Sequence, residues 1–581
     1  MKVLLFSPHA YFTMHALPEA LVAESLMIEG HEVITVNCDG IYSNQCLCMP
    51  LTRIVEEKEK KLICKTCKQN RNAINKEFGF RSELIENFVS GEDKFQAENL
   101  VNSLKIESYL DLSVRNIPVA QFALYEFLLN HKLPSTIIPE RLWDQYKFIL
   151  LNTLLTMSAI KKLIEKERPN RITTYNSTYS VNRIVCAISE EENIPHFEIL
   201  SGNGYSNRYQ NIMINRGVGK WILYNQNPFL TEKRKVHLTQ QEIKDVTASF
   251  ETQFKAVSPW VYSIASKKIS SLSIRSTLGV SVEQKILLAT MSSADEVVGL
   301  RLAGVATYEG ASFFATQQEW VEWLIKFARN NANYFLVIRV HPREFPNKRD
   351  QILSENAKRF MKFVELMDKP QNVFFNTPSD NLSLYDLLKI TDVLLNRSST
   401  AAVEAGLYGI PVVGVGDRLF LSDPILHSES YSEEEYVINI KDAANSGWKF
   451  ENVIHVYRWI NYLSSEVEID ISDGYSLHRP VLYRVINKIA RTFRELGFEA
   501  TDRTPIWQVK GRNPPLKNAN RLTYAIVNDK DDHIGVFKQD SSVLDALTER
   551  AQIKLQYKKL MAIIAAEDDQ EFLERIEDCA N

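Results

Sequence analysis

Arg397, Ser398, Ser399 and Thr400 follow one another between an apolar run, LLN, and a helix-like stretch, AAVEAGLYG. They offer one guanidinium and three hydroxyls, all hydrogen-bond donors. A helix start adds outward N–H groups and the positive end of the helix dipole, so the segment suits phosphate oxygens. Capping of the helix accounts for one Ser or Thr here, but not for three beside an arginine. Glu404 lies one helical turn further on, where a carboxylate can accept from two sugar hydroxyls. A second point of chemistry is the end of the run YFLVIRV, at His341-Pro342, with Arg339 and Arg343 close by. A histidine there can donate to a leaving phosphate or act as a general acid. A third segment, LLATMSSADE at 287–296, offers Ser292 and Ser293 to a phosphate or sugar and Glu296 to a hydroxyl.

These residues need strands to carry them. KILLAT, YFLVIRVHP, NVFF, DVLLN and PVVGVG are short apolar runs separated by helical patterns, the alternation expected of an open parallel sheet. Ligands bind at the carboxyl ends of the strands in such sheets. The chain opens with a similar series: KVLLFS, a helical stretch ending at Gly30, then HEVITV. It resumes with RITTYN, NRIVCAISEEENI and HFEIL. No Gly-x-Gly-x-x-Gly follows the first strand, so the dinucleotide fingerprint is absent. The expected fold class is therefore α/β, with two Rossmann-like domains in tandem around a central cleft. The expected divisions are an N-terminal domain over 1–255, a linker over 256–280, a second domain over 281–500 and a helical C-terminal extension over 501–581. A cysteine-containing insertion at 41–100 interrupts the first domain.

Five of the seven cysteines lie between Cys38 and Cys67. Cys46, Cys48, Cys64 and Cys67 can give four thiolates to one structural zinc, stapling an insertion that lacks its own core; free thiols are the other reading. The loop SGNGYSN at 201–207 presents Gly202, Asn203 and Gly204, either as a plain surface loop or on the acceptor side of a cleft. An acceptor hydroxyl needs a base from the first domain. The candidates are His9, His15, Glu19, Asp39 and Asp111, of which Asp111 is preferred because its polar stretch gives a carboxylate no evident core role.

Composition bounds the rest. The 581 residues are 45% hydrophobic and 24% charged, which permits two or three globular domains. A formal net charge of −4 gives no electrostatic footprint for nucleic acid. The apolar run at 3–6 is too short for a signal-peptide core, and FILLNTLLTMSAI at 148–160 is shorter than a bilayer span. A cytoplasmic protein is expected, with peripheral contact at the inner face of a membrane left open.

The strand-end His341-Pro342 followed by RSSTAAVEAGLYGIPVV resembles the donor domain of GT-B glycosyltransferases. More narrowly, it is similar to bacterial capsule and lipopolysaccharide transferases that use CMP-activated sugars such as Kdo or sialic acid. In that group a His-Pro motif and a Ser-Ser/Thr motif hold the cytidine nucleotide, and they match His341-Pro342 and Ser398-Ser399-Thr400. The resemblance covers 285–417 and is only architectural before that. It implies transfer from a nucleotide-sugar donor to a glycan or lipid-linked glycan acceptor, with no catalytic metal. CDP-polyol phosphotransferases, UDP- or GDP-sugar transferases, nucleotide-sugar 2-epimerases and a non-catalytic carbohydrate-binding protein remain as alternatives.

Overall fold

The computed structural model describes residues 1–51, 57–204, 207–257, 261–305, 313–347, 351–416, 422–478, 485, 489, 492, 506–509, 516–537 and 542–581. The expected boundary at residue 500 lies outside the described residues. So do 52–56 of the cysteine insertion, 205–206 of the glycine loop and 258–260 of the linker.

The first sheet is built from β1 (Lys2–Phe6), β2 (Glu32–Asn37), β3 (Arg81–Leu84), β4 (Arg171–Tyr175), β5 (His196–Ser201) and β6 (Asn211–Arg216). The second uses β7 (Lys285–Thr290), β8 (Tyr334–Arg339), β9 (Val373–Asn376), β10 (Val393–Asn396), β11 (Val412–Gly414) and β12 (His427–Ser428). A further strand, β13 (Ile469–Asp470), returns to the first sheet. The orders are β13-β6-β5-β4-β1-β2-β3 and β12-β11-β10-β7-β8-β9. In each sheet the first strand sits inside and later strands are added on both sides. This creates a topological switch point between β1 and β4, and another between β7 and β10. Strand ends diverge there and leave a crevice for a ligand. The fold is thus α/β with two Rossmann-like units, as expected.

Burial explains the strand sequences. All six residues of β8 and all four of β10 are buried, because helices cover both faces of a parallel sheet and no polar face is needed. Register then aligns the strand ends. Asn396 pairs with Thr290, Thr290 with Arg339, and Arg339 with Asn376. The residues that follow β7, β8 and β10 therefore emerge side by side.

The path of the chain departs from the expected divisions. The helix Gln240–Phe254 packs its Ile243, Val246, Phe250 and Phe254 into the core that holds Leu288, Leu394 and Tyr408 of the second unit, rather than closing the first. After the helix Phe450–Tyr462 the chain crosses back. β13 pairs antiparallel with β6, and the helix Ala519–Asn528 places Leu522, Ala525 and Ile526 in the core with Ala16 and Leu21 of the first unit. The second unit's strands thus end well before residue 500. The helices Ala546–Ile564 and Gln570–Ala580 then rejoin the second unit's core through Ile553, Tyr557, Met561 and Phe572. They form part of that core rather than an appendage. No helix among the described residues is long and apolar enough to cross a membrane.

Candidate functional site

A solvent-open cleft of about 90 Å³ lies at the carboxyl ends of β7, β8 and β10. Thr290 and Met291 enter it from β7, Arg339 to Pro342 from β8, and Ser399 to Ala401 with Glu404 from the turn and helix after β10. Gln253, Tyr262 and Tyr385 close the remaining wall. The aligned strand ends produce this convergence, so two motifs nearly sixty residues apart in sequence share one surface.

The turn after β10 is shaped by its own residues. Asn396 accepts from the Ser399 N–H at 2.8 Å and donates to the Ser399 carbonyl at 3.0 Å. Ser399 Oγ accepts from the Ala401 N–H at 3.2 Å, a helix-capping contact. Thr400, at the N-cap position of the helix Ala401–Tyr408, makes no such side-chain bond and is exposed at the cleft. The helix is rich in small residues for a packing reason. A Cβ on Gly406 would meet Val456 Cγ2 at 2.8 Å, so glycine permits close approach of the helix Phe450–Tyr462.

His341 is shielded, and burial followed by the neighbouring Arg343 lowers its pKa to about 4. It is therefore neutral near pH 7. Its Nδ1 accepts from the Arg343 N–H at 3.3 Å, which leaves the ring proton on Nε2. Beside it the Tyr262 ring stands edge-on at 5.9 Å. The expected general acid is thus better described as a neutral hydrogen-bond donor in the free protein. Glu404 is buried, and burial raises its carboxyl pKa to about 7 against the bond it receives from Gln253 Nε2 at 2.6 Å. Glu404 Oε2 and Thr290 Oγ1 are shielded from solvent and have no hydrogen-bond partner. Shielded polar atoms normally find partners, so these two are met by water or by a ligand in the cleft.

The other sequence candidates are placed differently. Ser398 Oγ and Ser292 Oγ lie 2.6 Å apart and tie the turn after β10 to the turn after β7. Ser293 donates to Asp295 at 2.5 Å. Glu296 lies 3.4 Å from Arg343 Nε, and Arg397 Nη2 donates to the Phe314 carbonyl at 3.3 Å. None of these five lines the cleft; of the segment Arg397–Thr400, only Ser399 and Thr400 do. Arg339 does line it. Its guanidinium is committed to Asn376 and the Leu382 carbonyl, because a buried cation needs local acceptors. Sequence reasoning missed Gln253, Tyr262 and Tyr385, since segments outside the strand–turn pattern deliver them.

Arg343 joins the two units. Its Nη2 lies 2.5 Å from Asp295 and 3.1 Å from the Leu129 carbonyl of the first unit. Lys132 reaches back from the first unit to the carbonyls of Phe345 and Ile352, at 3.2 and 2.8 Å. On the first unit, Gly202 and Asn203 follow β5. A Cβ on Gly202 would meet Asn211 Cβ and Glu468 Oε2, both at 2.8 Å, and the Asn203 N–H donates to Glu468 at 2.5 Å. Gly204 is equally confined, by Asn207. The glycines thus permit a tight turn onto a buried carboxylate.

Asp111, the preferred base from sequence, sits on an exposed 3₁₀ turn and does not line the cleft at the ends of β7, β8 and β10. The other base candidates lie nearer the strand ends. His15 stacks on Tyr175 at 4.4 Å, and Glu19, raised to about 8 by burial, accepts from Ser7 at 2.6 Å. Asp39 is bound by Arg71 at 3.0 Å.

The fold and cleft define a two-domain α/β protein with an open crevice at the strand ends of its second sheet. No family model matches the chain, and no curated protein matches it. Solved structures with a similar arrangement include KpsC of Thermosulfurimonas dismutans, described as a beta Kdo 2,4 transferase. It shows 12% identity over 50% of this chain and 79% of its own, with a TM-score of 0.31. The UDP-GlcNAc 2-epimerase of Neisseria meningitidis shows 12% identity over 79% and 98%, with a TM-score of 0.22. The spinosyn rhamnosyltransferase SpnG shows 10% identity over 80% and 96%, with a TM-score of 0.23. Superpositions this loose fix neither a donor nor an acceptor.

Proposed function

We propose that the cleft holds the nucleotide of an activated sugar, and that the protein transfers this sugar to a glycan or lipid-linked glycan. The observation that carries the proposal is the meeting of His341, Ser399, Thr400 and Glu404 in one cleft that also contains two unpartnered polar atoms. In this reading, Ser399, Thr400 and the start of the helix seat the phosphate. His341 donates through Nε2 to the phosphate oxygen that gains charge as the sugar leaves, a role that needs no imidazolium. The unpartnered Glu404 oxygen accepts a ribose hydroxyl, while Gln253 holds the other oxygen in place. Thr290 supplies a further contact. Charge on the leaving phosphate is then met by oriented donors.

The His-Pro and Ser-Ser-Thr text supports a cytidine nucleotide, which makes a CMP-activated ulosonic acid such as Kdo the preferred donor. The acceptor would be a growing surface polysaccharide or glycolipid approached from the first unit. A turnover assay tests this. With a CMP-activated ulosonate and a mixture of surface glycan acceptors, CMP release should rise well above the acceptor-free rate. Equal release with and without acceptor, or epimerisation of a nucleotide sugar with none present, would remove the transferase reading.

A further inference from the structure

A second, small cavity of about 20 Å³ lies on the first unit where the helix Glu57–Phe78 leans on the end of β1. Its wall contains Pro8, His9, Cys38, Cys46, Cys48, Cys64 and Cys67. Five thiols and an imidazole around one small space is a soft donor set, the kind that binds zinc or a similar cation. The structure separates these six by their present partners. Cys38 accepts from the Gly40 N–H at 3.2 Å and contacts Glu86 at 3.9 Å, so it is occupied in the turn after β2. Cys64 is less enclosed than its neighbours. Cys46 and Cys48 are hydrogen-bonded to each other, and this bond is the main cause that lowers the Cys46 pKa, with Lys60 adding to it. Cys67 Sγ sits 4.0 Å from the Pro8 carbonyl, beside His9. His9 Nε2 is shielded from solvent, lines the cavity and has no hydrogen-bond partner.

We propose that this cavity is a structural site for one zinc-class divalent cation, ligated by the thiolates of Cys46, Cys48 and Cys67 and by the imidazole of His9. This differs from the four-cysteine set expected from sequence, which had Cys64 in place of His9. Structural zinc sites are closed and four-coordinate, which favours the enclosed donors over Cys64 at the mouth. Among the described residues no three such side chains already converge closely enough to hold an ion; ligation by this set therefore requires the Cys46–Cys48 pair to move toward Cys67 and His9. Each thiol that ligates releases its proton, and three thiolates on a dication leave one net negative charge. Lys68 at the rim and Lys60 beside Cys46 partly offset that charge. The ion would fasten the segment after β2 and the long helix to the end of β1. Beyond the thiols, Met49 and Ile63 make up the buried part of the small cluster there, while Ile74 and Phe78 of the helix already share a core with Val3 and Leu5 of β1.

The test uses the full chain and two metals. Protein purified without chelator should contain about one zinc per chain. After chelation, added cobalt should give the visible bands of a tetrahedral site together with thiolate charge-transfer absorption. Affinity should rise with pH, because protons leave on binding. Cys67→Ser and His9→Ala should each weaken cobalt binding by more than the roughly 10- to 100-fold that loss of a mere supporting contact costs. Cys64→Ser should keep the tetrahedral spectrum. Spectra are compared only for variants whose circular dichroism matches the parent; for one that misfolds, Cys46→Ala serves as the second probe of the same site. Loss of the spectrum in Cys64→Ser with retention in His9→Ala would overturn the ligand set. Absence of zinc, together with no cobalt–thiolate absorption in the parent chain, would overturn the site.

Discussion

Replacing His341 with alanine should lower kcat by about 10²–10⁴, the range for losing one donor aimed at developing charge. The residue stands at the end of β8, whose six residues are buried, so the sheet should survive the change and the variant should stay folded. The loss should appear in kcat more than in nucleotide affinity, because the donor matters most once the phosphate gains charge. The low pKa adds a second expectation. An ordinary histidine titrates near pH 6.5, but burial holds His341 neutral down to about 4. The pH profile of kcat/KM for the parent should therefore show no His341 step between pH 5 and 8. Burial also links this residue to stability. Its folded pKa lies below the unfolded one, so the unfolded chain takes up the proton first and stability from this group falls as pH drops from about 6.5 toward 4. A folded His341→Ala protein with unchanged turnover would take the residue out of the mechanism.

The second large effect concerns the C-terminal segment. Asp569, 1% exposed, lies 2.9 Å from the fully buried Lys389 and also accepts from the Ser271 N–H at 2.9 Å. Lys389 belongs to the helix just before β10. Removing one partner of a buried ion pair leaves the other charge without compensation, at a cost of about 3–5 kcal/mol. Asp569→Ala should destabilise the protein by that amount in chemical denaturation, and the transition reporting the second unit should move. Replacing both partners with apolar residues should recover most of the loss, since no lone charge then stays buried. A loss below about 1 kcal/mol for Asp569→Ala, the level of an exposed pair, would mean that the C-terminal helices are loosely attached.

The sequence carried the strand–helix alternation because buried parallel strands must be continuous apolar runs. KILLAT, YFLVIR and VLLN read directly as β7, β8 and β10. It also carried the two motifs at their ends, since His341 and Ser399 follow their strands at once. Side-chain commitment was not legible. Ser398 and Ser399 are adjacent and chemically alike, but one is bound to Ser292 and the other faces the cleft, a choice made by strand register. Glu296 looked available until Arg343, 47 positions away, came within 3.4 Å of it. β13 has two residues, too few for any pattern, so the return of the chain to the first sheet left no signal. Gln253 and Tyr262 enter the cleft from a connecting region whose text resembles ordinary helix and loop. Asp111 is on a surface turn, where sequence alone cannot separate a solvated carboxylate from one that meets an acceptor.

In the proposed function, the cleft at the ends of β7, β8 and β10 seats a cytidine nucleotide. Titration calorimetry with CMP, CDP, UDP and GDP addresses it directly, on the parent and on the double variant Ser399→Ala, Thr400→Val. One hydrogen bond to a charged phosphate is worth about 1.5–3 kcal/mol. Loss of the Ser399 contact alone should therefore weaken CMP by roughly ten- to a hundredfold, and the double variant by more. Ser399 also caps the helix, so thermal unfolding of the variant is measured alongside to separate lost binding from lost fold. CMP or CDP should bind more tightly than UDP and GDP, and the double variant should lose this binding while remaining folded. Tight binding of UDP or GDP with weak CMP would contradict the cytidine assignment. Equal affinity in parent and variant, or no binding of any of the four, would contradict the site itself.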